Sequence, residues 1–529
     1  MIRYFLILLC SIALTQNYQD ARMLGLGGAY CTLSSGYRAV GINPANINNG
    51  TNSTVNIFSS KSLLMNNFFN LERYNQLNGA HFDNPLTADY YPKEKISNIL
   101  DGKGLSFSLN SINAIPGLNF SKNNYAFTSN AILYGDIELP QAFVDMMFFG
   151  NEINKELDMS FRQNLLISLE TGFSYCHNFK DINIGGTLKY LQGIYYSNME
   201  ELEKPYFKTD TTAFVGQGSY LIKQGLGGLG FAVDLGISTN EFQNGMKYGL
   251  SITNAFSSMK WNSSGLMESL DKAGISFPVR EKEYLFLNFA IDSLNAQAML
   301  NATAEDIFNS ETYKIAIIKI GEVPLINPLE VEQLPLFYLD QNNLDSGVLS
   351  SDETLIDPDK IVMLDDGRVV IPTENLDDLD NFNSAPFKTD YPTYLRFGLS
   401  KNFRSENILI AADIMTGLDN SFGNEDKWKI ALGVELNKNP KVPLRFGLTL
   451  GGKDKYRFNV GTGYSFGSMK LDFAYGYVGG FSMNNTRGLN LALNLFYDYK
   501  EPNKGELTFI DKIKNMFKKI FSKKENQES

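Results

Sequence analysis

Trp428-Lys-Ile-Ala-Leu-Gly-Val-Glu-Leu436 makes every second residue apolar, setting Trp428, Ile430, Leu432, Val434 and Leu436 against Lys429, Ala431, Gly433 and Glu435. Side chains alternate across an extended chain, so this stretch is a β-strand with one apolar face and one polar or small face. The pattern recurs four times downstream. Leu444, Phe446, Leu448 and Leu450 oppose Arg445, Gly447 and Thr449. Tyr456, Phe458, Val460, Thr462 and Tyr464 oppose Arg457, Asn459, Gly461 and Gly463. Met469, Leu471, Phe473, Tyr475 and Tyr477 oppose Lys470, Asp472, Ala474 and Gly476, and Leu489, Leu491, Leu493, Leu495 and Tyr497 oppose Asn490, Ala492, Asn494, Phe496 and Asp498. In a soluble sandwich the apolar face would meet a second sheet; in a membrane barrel it meets lipid and the other face lines the lumen. Two observations favour the barrel. The runs reach the roughly 9–11 residues that a tilted spanning strand needs, and the second face mixes charge with Gly and Ala, as a crowded interior requires. Lumen-facing positions expected on this pattern are Arg396, Lys429, Glu435, Arg445, Arg457, Lys470 and Asp472.

Similar runs occur upstream at 126–133, 165–175, 182–191, 211–220, 230–237, 247–253, 284–291, 395–401 and 408–415, with a first pair near Val55 and Leu105. The fold expected is therefore all-β, a transmembrane antiparallel β-barrel of about 14 strands (about 14–16), even numbers being the rule. Abundant Gly (45), Phe (38) and Tyr (27) suit tight turns and aromatic girdles. Connection lengths agree if the last strand ends in the periplasm: 467–468, 437–443 and 403–407 become short inner turns, and 478–487, 417–426 and 292–394 become longer outer loops. One link resists. The stretch 255–283 falls on the inner side and is long, unless a further strand lies around 257–261.

Met1-Ile2-Arg3 followed by the apolar run from Phe5 to Leu14 reads as a secretory leader (residues 1–16), with cleavage after Ala13 or Thr15. It is too short to span a bilayer as a helix. Leu8-Leu9 before Cys10 argues against a lipoprotein. His81 and His177 are the two histidines, and Cys10, Cys31 and Cys176 the three cysteines, too few for a zinc site. A Cys31–Cys176 disulfide is chemically open in an oxidising compartment, but two small buried thiols are the simpler reading. No nucleophile motif accompanies the plentiful Ser, Asp and Glu, so an enzyme finds no support, and no cofactor is expected.

Residues 320–390 carry 16 acidic and 3 basic side chains, a net of −13 in a chain of net −11, so the acidity belongs to this one outer insertion (294–392). Asp357-Pro-Asp359, Asp365-Asp366-Gly367 and Asp377-Asp378-Leu-Asp380 offer carboxylates to Ca²⁺, but match no complete calcium loop; a solvated surface loop is the expectation. After the last strand, Phe509, Ile510, Ile513, Met516, Phe517, Ile520 and Phe521 recur at helical spacing among Lys512, Lys514, Lys518, Lys519, Lys523 and Lys524. This predicts a basic amphipathic helix over 501–529, lying on an anionic membrane face or across the barrel mouth.

The segment Ala21-Arg-Met-Leu-Gly25-Leu-Gly27-Gly28-Ala29-Tyr30, then Ala39-Val-Gly-Ile-Asn43-Pro44-Ala45-Asn46, is rich in small residues and closes on an Asn-Pro turn. It lacks the Lys-Ser/Thr of a phosphate loop. A compact piece folded inside a barrel fits it, a hatch or plug over 17–50, with the barrel over 51–500. This opening resembles that of the FadL/PorV-like outer-membrane proteins, and Tyr391-Pro-Thr-Tyr-Leu-Arg-Phe-Gly-Leu399 resembles a strand opening recurrent in their C-terminal halves. The resemblance covers about the first 45 residues closely and the last 140 in style; the middle departs from it. It implies a barrel of roughly 14 strands plugged by an N-terminal hatch, to which Gly25, Gly27, Gly28, Asn43, Pro44 and Ala45 would belong. It also implies a place in the bacterial outer membrane among its lipid, and no nucleic-acid partner. Two functions follow from it: a plugged channel for small hydrophobic molecules, or a PorV-like surface or secretion assembly protein that binds a secreted partner through its external loops.

Overall fold

A computed structural model describes residues 20–49, 53–149, 153–209, 213–261, 387–419, 422, 427–452 and 455–499, together with the backbone of short strand segments between 282 and 370. The leader, most of the acidic insertion with its candidate calcium carboxylates, and the basic C-terminal helix lie outside the described residues.

Fourteen strands make one closed ring: β1 (Ser53–Asn66), β2 (Leu105–Ala114), β3 (Tyr125–Leu139), β4 (Arg162–Asn178), β5 (Ile182–Thr209), β6 (Ala213–Thr239), β7 (Met246–Trp261), β8 (Tyr394–Phe403), β9 (Ile408–Gly417), β10 (Lys429–Leu436), β11 (Leu444–Gly451), β12 (Tyr456–Phe466), β13 (Met469–Val478) and β14 (Gly488–Tyr499). Each pairs antiparallel with the next, and β14 closes on β1, with Ser53 opposite Tyr499 and Met65 opposite Gly488. Closure leaves no edge in the ring, so backbone polar groups are paired within the wall.

The alternation decides which way each side chain points. On β10, Ile430 and Leu432 are exposed to the outside, while Ala431 and Glu435 are buried inside. The outward set continues round the ring through Phe446, Phe473, Leu491, Phe173, Leu188, Leu235 and Leu250. A continuous apolar belt on a closed barrel is far larger than the patches soluble proteins expose, and its solvent is lipid. Among the described residues no helix is long and apolar enough to cross a membrane; the strands cross it.

Two segments depart from the sequence reading. The runs at 211–220 and 230–237 are halves of one strand, β6, of 27 residues, beside β5 of 28. The intervening Gly225-Leu-Gly-Gly-Leu-Gly230 imitates a turn, but its glycines make room for Trp261. A Cβ on Gly228 would lie 2.9 Å from the indole, and one on Gly193, across the ladder, 2.5 Å. Trp261 is fully buried there, stacked on Tyr196 at 5.3 Å. The run at 284–291 belongs to Lys282–Asn295, which pairs with the far half of β6 and with Tyr313–Ile320, outside the ring. β7 pairs with the near half, Gly228 to Ser238, and extends to Trp261, so residues 257–261 end β7 rather than form another strand. With those runs reassigned, the long link after β7 moves to the same end as the other long loops, and the parity conflict disappears.

One end of the barrel thus carries the links 179–181, 240–245, 404–407, 437–443 and 467–468, all short, with the ten-residue 115–124 link. The other carries the longer loops, apart from the tight 452–455 link and the three residues between Thr209 and Ala213. The first loop holds α2 (Leu71–Leu77), capped by the Asn70 side chain accepting from the Arg73 amide at 2.7 Å, and α3 (Lys93–Leu100), which stops where Asp101 turns left-handed. Ile96 and Leu100 pack with Phe68, Tyr91 and Val144, the last from α4 (Gln141–Phe149). Together they roof part of the loop end.

Candidate functional site: a filled lumen

Residues 20–49 fold inside the ring. Asp20 caps the short helix α1 (Ala21–Gly25), accepting from the Met23 amide at 2.7 Å, and 3-10 turns follow at Gly36–Ala39 and Pro44–Asn46. The segment's charged residues are Asp20, Arg22 and Arg38, so it is able to bury nearly everything. Gly27 and Gly28 take left-handed angles of +68° and +96°, turning the chain after α1. Asn43 accepts from the Ala45 amide at 3.1 Å and donates to the Ile237 carbonyl of β6 at 3.2 Å, fixing the Asn-Pro turn against the wall.

The small residues of the inward face form the seat. A Cβ on Gly447 of β11 would lie 2.0 Å from the Gly27 nitrogen, and one on Gly185 of β5 would lie 2.3 Å from the Pro44 carbonyl carbon. Backbone therefore lies directly on backbone, and Ala474 and Ala492 pack under Met23 and Leu24 of α1. Gly447→Val is expected to displace the segment or block folding, because backbone on both sides leaves nothing flexible to move. Limited proteolysis cutting within residues 20–49 in the variant but not in the wild type is the check.

Charge completes the attachment. Arg22 reaches Glu435 on β10 through two hydrogen bonds (2.8 and 2.9 Å); Glu435 also accepts from Arg445 on β11 at 2.7 Å, and Arg445 donates to Asp472 on β13 at 2.7 Å. Asp413 on β9 accepts from the Tyr30 and Cys31 amides, both at 2.8 Å, while Arg396 on β8 donates to the Gly28 carbonyl at 3.0 Å. Lys189 sits between Glu170 (3.3 Å) and Asp234 (3.1 Å), and Asp234 takes the Gly41 amide at 3.1 Å. Asp20 also accepts from the Tyr30 hydroxyl at 2.8 Å, and Arg38 lies over the Phe496 ring at 4.4 Å.

Of the seven positions expected to face the lumen, Arg396, Glu435, Arg445, Arg457 and Asp472 are buried inside the barrel. Lys470 is partly exposed at the short-turn end, 2.5 Å from Asp498, and Lys429 is half-buried at the loop end. Sequence reasoning missed Lys61, Glu170, Lys189, Asp234 and Asp413. Each but Lys61, which lies among serines, stands on the polar parity of an apolar alternation, a signal available only once the strand boundaries are known.

Cys31 and Cys176 are both free thiols. They sit on opposite partners of the same interface: Cys31 in the inner segment beside Ser251 of β7, Cys176 on β4 donating to the Ala45 carbonyl at 3.2 Å. Burial, then the nearby Asp413 carboxylate, pushes the Cys31 thiol up to about 12, so it is held unreactive.

Cavities open beyond the inner segment, towards the loop end. A vestibule of about 640 Å³ is bordered by Met65, Val478, Ser106, Glu138, Lys455 and Arg487. A smaller one, about 70 Å³, lies above Gly41 between Ile112, Ile132, Tyr134, Leu166, Tyr391 and Phe422. Phe422, from the loop between β9 and β10, inserts edge-on between Tyr134 and Tyr196, both at 5.8 Å, with a left-handed φ of +43°. Such an angle strains a bulky residue, and aromatic packing holds it there. Among the described residues no group of three or more His, Cys, Asp or Glu is placed to hold a metal ion.

Residues 44–219 match DUF5723, a family of unknown function. A search of curated proteins finds no match. Among solved structures, the chain is similar to the toluene transporter TbuX of Ralstonia pickettii, at 11% identity over 92% of this chain and 99% of that one, TM-score 0.43. It is similar at the same identity and TM-score to the toluene transporter TodX of P. putida and to a FadL homologue of Pseudomonas aeruginosa, each over 92% of this chain and 100% of that one. At these TM-scores the likenesses carry neither a substrate nor a route to this chain.

Proposed function

We propose that the chain is an outer-membrane channel, that residues 20–49 are its plug, and that it admits small hydrophobic molecules. The observation that carries the reading is the pairing of a closed, lipid-faced ring with a lumen filled by the chain's own N-terminal segment. A ring of 14 strands is intermediate between the small barrels that side chains fill and the 16–18-stranded open porins, so its interior needs a plug to be closed. One side of the smaller cavity, formed by Ile112, Ile132, Leu166 and the rings of Tyr134 and Phe422, supports a hydrophobic guest, while Asn110, Glu170, Lys189 and Arg396 line the other. The cavity's 70 Å³ is below the roughly 300–1,000 Å³ of drug-sized sites, so entry requires Phe422 to withdraw. In this reading the short turns face the periplasm and the long loops the exterior.

Uptake of a hydrophobic fluorescent probe into proteoliposomes tests it: flux equal to that of protein-free vesicles would overturn the channel. Phe422→Gly is expected to raise that flux several-fold by removing the ring from between Tyr134 and Tyr196, with the apparent melting temperature little changed because glycine relieves the left-handed strain as the packing is lost. Unchanged flux would place entry elsewhere.

A second reading, an assembly protein holding a secreted partner, draws on β5 and β6. At about 3.3 Å per residue, 28 residues span about 90 Å, far more than the bilayer needs. Their far halves, with Lys282–Asn295, form a sheet beyond the ring, a surface a pore does not require. Loss of a co-purifying secreted protein on excising 320–390, with probe flux retained, would favour this reading over the channel.

A further inference from the structure

The plug is not held evenly. It bonds to wall groups on β6 to β11 and also to Asn494 of β14 and to Thr54 and Asn56 of β1, but beside those contacts a band of buried polar groups on β12, β14 and β1 is left unsatisfied. Among the described residues, Lys61 Nζ on β1 has no hydrogen-bond or ion-pair partner, nor has either amide atom of Asn459 on β12 or Asn490 on β14, nor the Asn494 amide nitrogen. Lys61, Asn459, Asn490 and Asn494 are each buried to within about 1%.

Register places them together. Asn459, Gly476 and Asn490 lie side by side across β12, β13 and β14, and Gly476 leaves room for the Asn459 amide, whose oxygen would lie 2.1 Å from a Cβ there. One row towards the short-turn end, Ala474 and Ala492 carry α1, and Lys61 faces Ala492, with Asn490 and Asn494 as its diagonal neighbours. Towards the loop end, Leu63, Met65 and Val478 form a small apolar cluster, and Met65 and Val478 are also on the border of the 640 Å³ vestibule. Towards the other end the polar positions continue through Ser59, Asn494 and Asp498. A band of polar groups therefore occupies the middle of this wall along the edge of α1, bounded by Leu63, Met65 and Val478 towards the loop end and interrupted by Phe496 towards the other.

An unpaired buried ammonium and orphaned amides are each costly in an apolar surround, and are kept where water or a polar solute pairs with them. From this band we infer, resting on the plug reading above, a second and hydrophilic conduit: a hydrated seam between α1 and the β12–β14–β1 wall, passing small anions such as chloride past Lys61 beneath the Leu63–Met65–Val478 constriction. Of the acidic groups around α1 and the band, Asp20 is held by Tyr30 and Arg38, Glu435 by Arg22 and Arg445, Asp472 by Arg445 and Asp498 by Lys470, which leaves the Lys61 charge to set the selectivity. Apolar guests would take the aromatic side of the lumen and ions the asparagine side.

The test is single-channel recording of the full chain in planar bilayers under a KCl gradient, with folded barrel verified by heat-modifiable mobility. The wild type conducts with a reversal potential on the anion side. Lys61→Met, similar in length and uncharged, abolishes that preference, and Lys61→Glu inverts it. Asn459→Leu with Asn490→Leu lowers conductance by about an order of magnitude through dewetting. A wild type that does not conduct, prefers cations, or keeps its reversal potential in Lys61→Met overturns the seam. Probe uptake that persists in any of those cases leaves the hydrophobic channel standing; conduction with the predicted Lys61 dependence but no probe uptake leaves the seam standing alone.

Discussion

Deleting residues 20–49 is expected to turn the barrel into an open aqueous pore, raising single-channel conductance by about an order of magnitude. The segment fills the lumen with Met23, Leu24, Leu26, Tyr30 and Ile42, all fully buried. What it leaves behind is a wall lined by Lys61, Lys189, Arg396, Arg445, Glu170, Asp234, Asp413 and Glu435, which water enters readily. The apolar belt does not depend on the segment, so insertion into lipid should survive. Conductance of the shortened barrel indistinguishable from that of the full chain would mean that the segment does not obstruct the lumen in the membrane.

Glu435→Gln should loosen the same segment without removing it. The carboxylate is shared by Arg22 and Arg445. Arg445 keeps Asp472 at 2.7 Å, whereas Arg22 is left with the Leu33 carbonyl at 3.5 Å and the Tyr30 ring at 5.9 Å. Removing one partner of a buried ion pair costs about 3–5 kcal/mol, enough to shift a closed plug towards release. The native thiols report it. Maleimide labelling of Cys31 and Cys176 should be negligible in the wild type and rise strongly in Glu435→Gln, and Arg22→Met combined with Glu435→Met should recover much of the protection. Equal labelling of wild type and Glu435→Gln would show that the Arg22 contact does not secure the segment.

The C-terminal strands could be read from the sequence because the inward positions from Ala431 to Asp498 are small or polar, Val478 and Phe496 apart, and the outward ones apolar, Thr462 apart. The middle resisted for two reasons. At Gly225 to Gly230 the same residue type serves a turn and a close approach to an indole, and only the position of Trp261 separates them. At 284–291 an apolar run pairs with β6 beyond the ring, and alternation alone does not say what a strand pairs with. Within the lumen, Gly25 to Gly28 and Asn43-Pro44-Ala45 stood out through composition. The wall residues that grip them did not, since Asp413 or Asp234 alone in a strand carries no mark of the backbone amides it receives. Lys61 was hidden by its neighbours Ser59, Ser60 and Ser62, which blur the parity of β1.

The ring is sealed by its first and last strands, β1 and β14, and this bears on biogenesis. The Ala21 amide is held by Asn494, 473 residues away, and Arg22 by Glu435, 413 residues away. The earliest part of the chain therefore waits, unanchored, until the latest part has been synthesised and delivered. Once the seal is made, no gap remains in the wall for the N-terminal segment to enter sideways, so lateral capture has to precede or accompany the zipping of the final hairpin. A chain truncated before β14 would keep the N-terminal segment but lack both the seal and the Asn494 contact to Ala21, and would present an open-edged sheet to the machinery that inserts it.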